Sequence, residues 1–88
     1  MKMIFRINDN EILAVYAEYN PYYRLDCIPL TETNGLIIKY DHTSISLDYY
    51  HRYTKPLKDL SMLEKYKSYL ENCYNESVEI RKRLLKGV

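Results

Sequence analysis

The sequence predicts an α+β domain: an antiparallel β-meander of about five strands followed by one long C-terminal α-helix packed on the sheet. Three observations predict it. Residues 1–7 alternate between apolar and polar side chains. Asn34-Gly35 sits between two apolar runs. From Leu63 onward, apolar residues recur every three or four positions as far as Leu84.

In the first segment Met1, Met3, Phe5 and Ile7 face one way and Lys2 and Arg6 the other, the period-2 pattern of a half-buried strand. Asn8-Asp9-Asn10 supplies turn residues that tolerate left-handed backbone. Residues 11–19 carry apolar side chains on both faces, Ile12, Ala14 and Tyr16 against Leu13, Val15, Ala17 and Tyr19. That pattern predicts a central strand covered on both sides. Asn20-Pro21 breaks it, and residues 22–30 form a third strand. Pro29 has no backbone donor, so that strand is at an edge or bulged there.

Asn and Gly both accept positive φ, so Asn34-Gly35 predicts a two-residue hairpin turn leading into a strand over residues 36–40. After a polar turn at residues 41–44, Ile45, Leu47 and Tyr49 alternate with Ser46, Asp48 and Tyr50 as a fifth strand. Pro56 marks a connector. Ser61 and Glu64 have capping-box spacing, and a helix over residues 62–86 follows, with Arg81, Lys82, Arg83 and Lys86 in its last turns and Gly87 beyond its end.

Such a helix would be about 37 Å long, against roughly 17–24 Å for the strands. Its apolar stripe through Val78, Ile80, Leu84 and Leu85 would then overhang the sheet, and an unpartnered apolar face points to another chain, a homodimer seam included. The alternative is a kink at residues 72–75, where helix propensity is poorest.

The 88 residues make one domain, with 13 Lys and Arg against 12 Asp and Glu. A net charge of +1 gives no long-range field to gather nucleic acid or anionic membrane. No apolar run approaches the ~20 residues of a membrane span, and the first six residues are too quickly interrupted by charge for a signal peptide. A cytoplasmic location is expected, and two cysteines make no disulfide framework. Phe, Tyr, Met, Ile, Asn and Lys supply 37 of the 88 residues. Their codons are AT-rich, which favours a viral or mobile-element gene, with the host cytoplasm as its setting.

Candidates for chemistry are sparse. Cys27, His42, His51 and Cys73 offer zinc-ligating atoms, but no two are closer than nine residues, whereas structural zinc sites use closely spaced pairs. Cys27 with His42 or His51 lacks a motif that orients a nucleophile. Asp26, Asp41 and Asp48 lie on separate segments. Gly35 and Gly87 are the only glycines, too few for a phosphate-cradling loop. The sequence therefore assigns no catalytic residue, metal or cofactor.

Two binding surfaces are expected instead. Tyrosine gives large contact area at low entropic cost, so Tyr19, Tyr22, Tyr23, Tyr50 and Tyr53, with Ile80, Leu84 and Leu85 of the helix end, are the candidate protein-binding residues. Residues 49–58 interleave aromatics with cations, which suits single-stranded nucleic acid. The second set is therefore Arg52, Lys55 and Lys58 with Arg81, Lys82, Arg83 and Lys86. The expected function is a non-catalytic protein-binding module, with an inhibitor of a host protein (an anti-CRISPR-like role, for example) as the concrete version. A small nucleic-acid binder is the alternative.

Overall fold

The computed structural model describes residues 1–19 and 24–86. Strands β1 (Lys2–Asn8) and β2 (Glu11–Tyr16) form a hairpin in which Asn8 pairs with Glu11. Asp9 turns the corner with φ 50°, a left-handed conformation that a short polar side chain tolerates. After β3 (Glu18–Tyr19), β4 (Arg24–Thr33) runs antiparallel to β2, with Val15 opposite Cys27 and Ile12 opposite Leu30. Asn34 and Gly35 then take φ 51° and 81°, the paired positive values a tight hairpin requires, and lead into β5 (Leu36–Lys39).

The outer side of β4 is shared. Its second half pairs with β5 and its first half with β6 (Thr43–Ser46). Pro29 lies at the handover, and its carbonyl accepts from the Tyr40 N–H at 3.0 Å. A strand residue points its N–H and C=O to the same side, so the donor that proline lacks falls where no ladder runs.

Four expectations are corrected. The first concerns the fifth strand, which stops at Ser46. Helix α1 (Leu47–Tyr53) replaces its second half. The Ser46 hydroxyl accepts from the Tyr49 N–H at 3.0 Å and Asp48 occupies the first turn, a start signal stronger than the short alternation around it.

The second concerns where the long helix begins and ends: α2 runs Leu60–Tyr74. Asp59 caps it by accepting from the Met62 N–H at 3.1 Å, so Ser61 lies inside the first turn and does not cap. Asn75 ends it in the left-handed conformation, φ 51° and ψ 45°, and the Glu71 side chain accepts from the Val78 N–H at 2.8 Å, holding the chain as it leaves. Fifteen residues span about 22 Å, which matches the strands and leaves no overhang.

The third correction is that the sheet is mixed. Beyond β1 lie β7 (Lys55–Pro56), antiparallel to it, and β8 (Glu79–Ile80), parallel to it. A small second sheet pairs β3 with β9 (Leu85–Lys86), also in parallel. Two-residue strands carry no periodicity, so the sequence pattern hides them.

The fourth is that the apolar residues of the expected helix end are partnered within the chain. The sheet is covered on both faces, as the two-sided apolar pattern of β2 requires. On the α2 face, Met3, Phe5, Ile12, Ala14, Ile28 and Leu30 pack with Tyr66, Leu70, Leu57 and Val78. On the α1 face, Ile4, Leu13, Val15, Ala17, Leu25 and Cys27 pack with Tyr50. Ile80 sits against the first cluster, Leu84 and Leu85 against the second. Residues 78–85 thus pass around the β1 edge of the sheet from one core to the other.

No helix among the described residues is long and apolar enough to cross a membrane.

Candidate functional site

The tyrosines expected on one surface are dispersed. Tyr50 is 4% exposed, and burial pushes its phenol up, partly offset by Arg6. The Arg6 guanidinium lies 4.2 Å from the centre of the Tyr50 ring and donates to the Tyr50 and Thr54 carbonyls at 3.2 and 2.8 Å. Those are the last carbonyls of α1, and a terminal cation satisfies them well. Tyr53 is exposed and packs on Tyr49 with ring centres 5.2 Å apart. The Tyr49 hydroxyl in turn accepts from the Asn8 amide. Tyr19 pairs through its backbone with Lys86 in the small parallel sheet. Tyr22 and Tyr23 lie outside the described residues.

The expected cations divide in the same way. Arg52 pairs with Asp48 one turn away at 3.0 Å, and Lys55 and Arg83 are exposed. Lys86 contributes its backbone to β9. Lys58, Arg81 and Lys82 converge on one groove. β7 and β8 both dock on the outer edge of β1, where the Phe5 carbonyl accepts from Leu57 and the Met3 carbonyl from Arg81. The groove between them has a volume of about 420 Å³. Phe5, Leu57, Leu63 and Ile80 contribute apolar walls, and Arg6, Lys58, Arg81 and Lys82 are its charged residues.

A second surface lies at the opposite end of the sheet. β5 is an edge strand, paired only with β4 among the described residues. The Tyr40 N–H points inward to Pro29, so by alternation Ile37 and Lys39 direct their N–H and C=O groups outward. On the α1 side of this strand Leu36, Ile38 and Tyr40 form a row, 71%, 43% and 47% exposed. Sequence reasoning placed these residues in a strand and overlooked them as a surface. The available signal was the hairpin register, which sets Ile38 opposite Thr31 and Leu36 opposite Thr33. Polar cross-strand partners mark a face that the core does not cover.

No group of three or more His, Cys, Asp or Glu side chains that could hold a metal ion occurs among the described residues. Cys27 is buried in the α1-side core, where burial, reinforced by the charges of Glu11 and Asp26, pushes its thiol up to about 11. His42 lies on the α2 side. It stacks on Tyr16 with ring centres 5.8 Å apart, its Nε2 is 3.0 Å from the Tyr16 hydroxyl, and it meets Tyr74 edge-on. His51 is exposed on α1 and Cys73 is exposed on α2. The sheet therefore separates Cys27 from His42, one of the two histidines considered as its base, whereas His51, the other, belongs to the helix on the Cys27 side.

No family model matches the chain, and neither does any curated protein or solved structure.

Proposed function

We propose that this chain is a non-catalytic protein-binding module that works by adding a partner's extended strand to the free edge of β5. The observation that carries the reading is the row Leu36, Ile38 and Tyr40 beside the backbone of Ile37 and Lys39, whose outer edge has no strand partner among the described residues. An open edge supplies main-chain hydrogen bonds, and alternate apolar side chains select the strand that receives them. The same feature left bare is an aggregation hazard that folded proteins ordinarily blunt with charge, proline or a covering loop. On β5 the exposed face carries Leu, Ile and Tyr. A second copy of this chain, laying its β5 antiparallel across the first, is one partner that meets the requirement. An inhibitor that occupies the surface of a larger protein is another.

The nucleic-acid reading has less support, because of its three tyrosines only Tyr53 is exposed: Tyr50 is buried under Arg6 and Tyr49 is half-buried against Tyr53.

Amide hydrogen exchange tests the proposal, first across a concentration series of the protein alone and then with any purified partner. Protection should appear at the outward amides of Ile37 and Lys39. Ile38→Lys should abolish it and leave the melting temperature within about 3 °C, as expected for an exposed position. A complex in which those two amides exchange at their free rate would place binding elsewhere and overturn the reading.

A further inference from the structure

We propose that the groove between β7, β8 and the start of α2 is a binding site for a small amphiphilic anion, an apolar chain bearing one anionic head. The site is separate from the β5 edge and does not depend on the reading above.

Charge distribution is the first argument. The whole chain is nearly balanced, with 13 cationic and 12 acidic side chains. The groove is lined by Arg6, Lys58, Arg81 and Lys82 and, among the described residues, by no carboxylate. Arg6 is turned toward the α1 carbonyls, and Arg81 has Glu79 beside it at 3.4 Å. Lys58 and Lys82 are exposed and have no acidic partner among the described residues. They are the two charges left to receive an anion.

The walls are the second argument. Phe5 and Leu57 are buried, Leu63 and Ile80 half-buried, and Leu60 stands 78% exposed at the lip. Leu60 opens α2 immediately after its cap, where an exposed leucine gains nothing within the fold. A chain laid between Leu60 and Ile80 would remove that surface from water. A volume of about 420 Å³ falls in the range of small-molecule sites, which are mostly apolar with a few polar groups that fix orientation. A protein interface would need a much wider surface.

Decanoate, decanol and decyltrimethylammonium, each titrated below its aggregation concentration and followed through the backbone amides of Phe5, Leu57 and Ile80, separate the contributions of chain and charge. Decanoate should shift these amides saturably, decanol much less, and the cationic analogue not at all. Lys58→Glu with Lys82→Glu should weaken decanoate by about tenfold or more, and the milder Lys58→Gln with Lys82→Gln should fall between. Both positions are exposed, and the remaining amide spectrum reports whether the fold is retained. Equal binding of decanol and decanoate, or unchanged binding by either double variant, would overturn the assignment. So would a non-saturating response. An oligonucleotide that moves the same amides at lower concentration than decanoate would overturn it in favour of a polyanion, and response only to anionic vesicles would replace the free ligand by a membrane surface.

Discussion

The guanidinium of Arg6 closes the C-terminal end of α1 from a neighbouring strand, its Cζ 4.2 Å from the centre of the Tyr50 ring and its N–H groups on the Tyr50 and Thr54 carbonyls. One side chain joins β1 to the helix that covers it. A third bond, Nε to the Thr54 hydroxyl at 2.9 Å, completes the set.

Arg6→Met should therefore cost about 1.5–3 kcal/mol, the range for hydrogen bonds to a charged group. The loss should appear in urea unfolding, and α1 amides should exchange faster than those of α2. Arg6→Lys should recover only part, because an ammonium cannot fork across several acceptors. A variant as stable as the parent would mean that water satisfies these carbonyls equally well.

The two thiols should differ sharply. Cys27 is fully buried with its thiol pushed up to about 11, whereas Cys73 is exposed on α2. Since the thiolate is the reactive form, a thiol reagent at pH 8 should modify Cys73 in the native protein and reach Cys27 only at the rate of unfolding. Cys73→Ser should abolish the fast phase alone. Two fast equivalents would contradict the packing of β4 against α1.

Glu32 couples the sheet to α2. It accepts from Lys65 at 2.6 Å and from the Tyr66 hydroxyl at 3.1 Å. The Lys65 hydrogen bond holds the carboxyl below its ordinary value. A lowered carboxylate contributes stability that is present above its unfolded value and lost as pH falls through the folded one. Burial, followed by Glu32 itself, pushes Tyr66 up to about 12. A raised phenol contributes stability that is fully present below about pH 10 and lost as pH rises toward 12. Thermal unfolding against pH should thus weaken on both limbs. Glu32→Gln should flatten the acid limb and move the Tyr66 transition, read by phenolate absorbance, to lower pH. An acid limb unchanged by that substitution would remove Glu32 from the account.

Asn75 holds the left-handed residue that ends α2. Asn75→Gly should be neutral or stabilising, and Asn75→Val should cost about 1–2 kcal/mol, because a branched side chain resists that backbone. Equal stability of the Val variant in denaturant melts would indicate that α2 extends past Tyr74 when given the chance.

The parts of the fold that were legible have a pattern that repeats. Alternation identified β1, the two-sided apolar run identified the covered strand β2, and Asn34-Gly35 identified a turn by chemistry that few dipeptides supply. The α2 stripe was also visible, yet its end was not. Val78, Ile80 and Leu84 continue the helical spacing while lying on two different faces of the sheet, so the spacing stayed after the helix had stopped. The cap at Asp59 was masked by the neighbouring Ser61-to-Glu64 pattern, and the Ser46 cap by the alternation of Ile45, Leu47 and Tyr49. Of the candidate surfaces, Lys58, Arg81, Lys82 and Ile80 were named from the sequence in two separate sets. Their meeting in one groove depends on β7 and β8, each two residues long. Leu36, Ile38 and Tyr40 were missed because an apolar strand reads as buried until its hairpin partner is placed beside it.

The wrapping of residues 78–85 around β1 sets an order of events during synthesis. β1 emerges first and is covered last, since one part of its outer edge waits for Glu79 and Ile80 and the small sheet waits for Leu85. Contacts between segments so far apart in sequence form slowly. Until they form, the nascent chain exposes two open edges, β5 and the outer side of β1, and unpaired edges are where incomplete chains associate. Slowing translation over residues 75–86 should lengthen that interval and lower the soluble yield, although the finished protein would be unchanged.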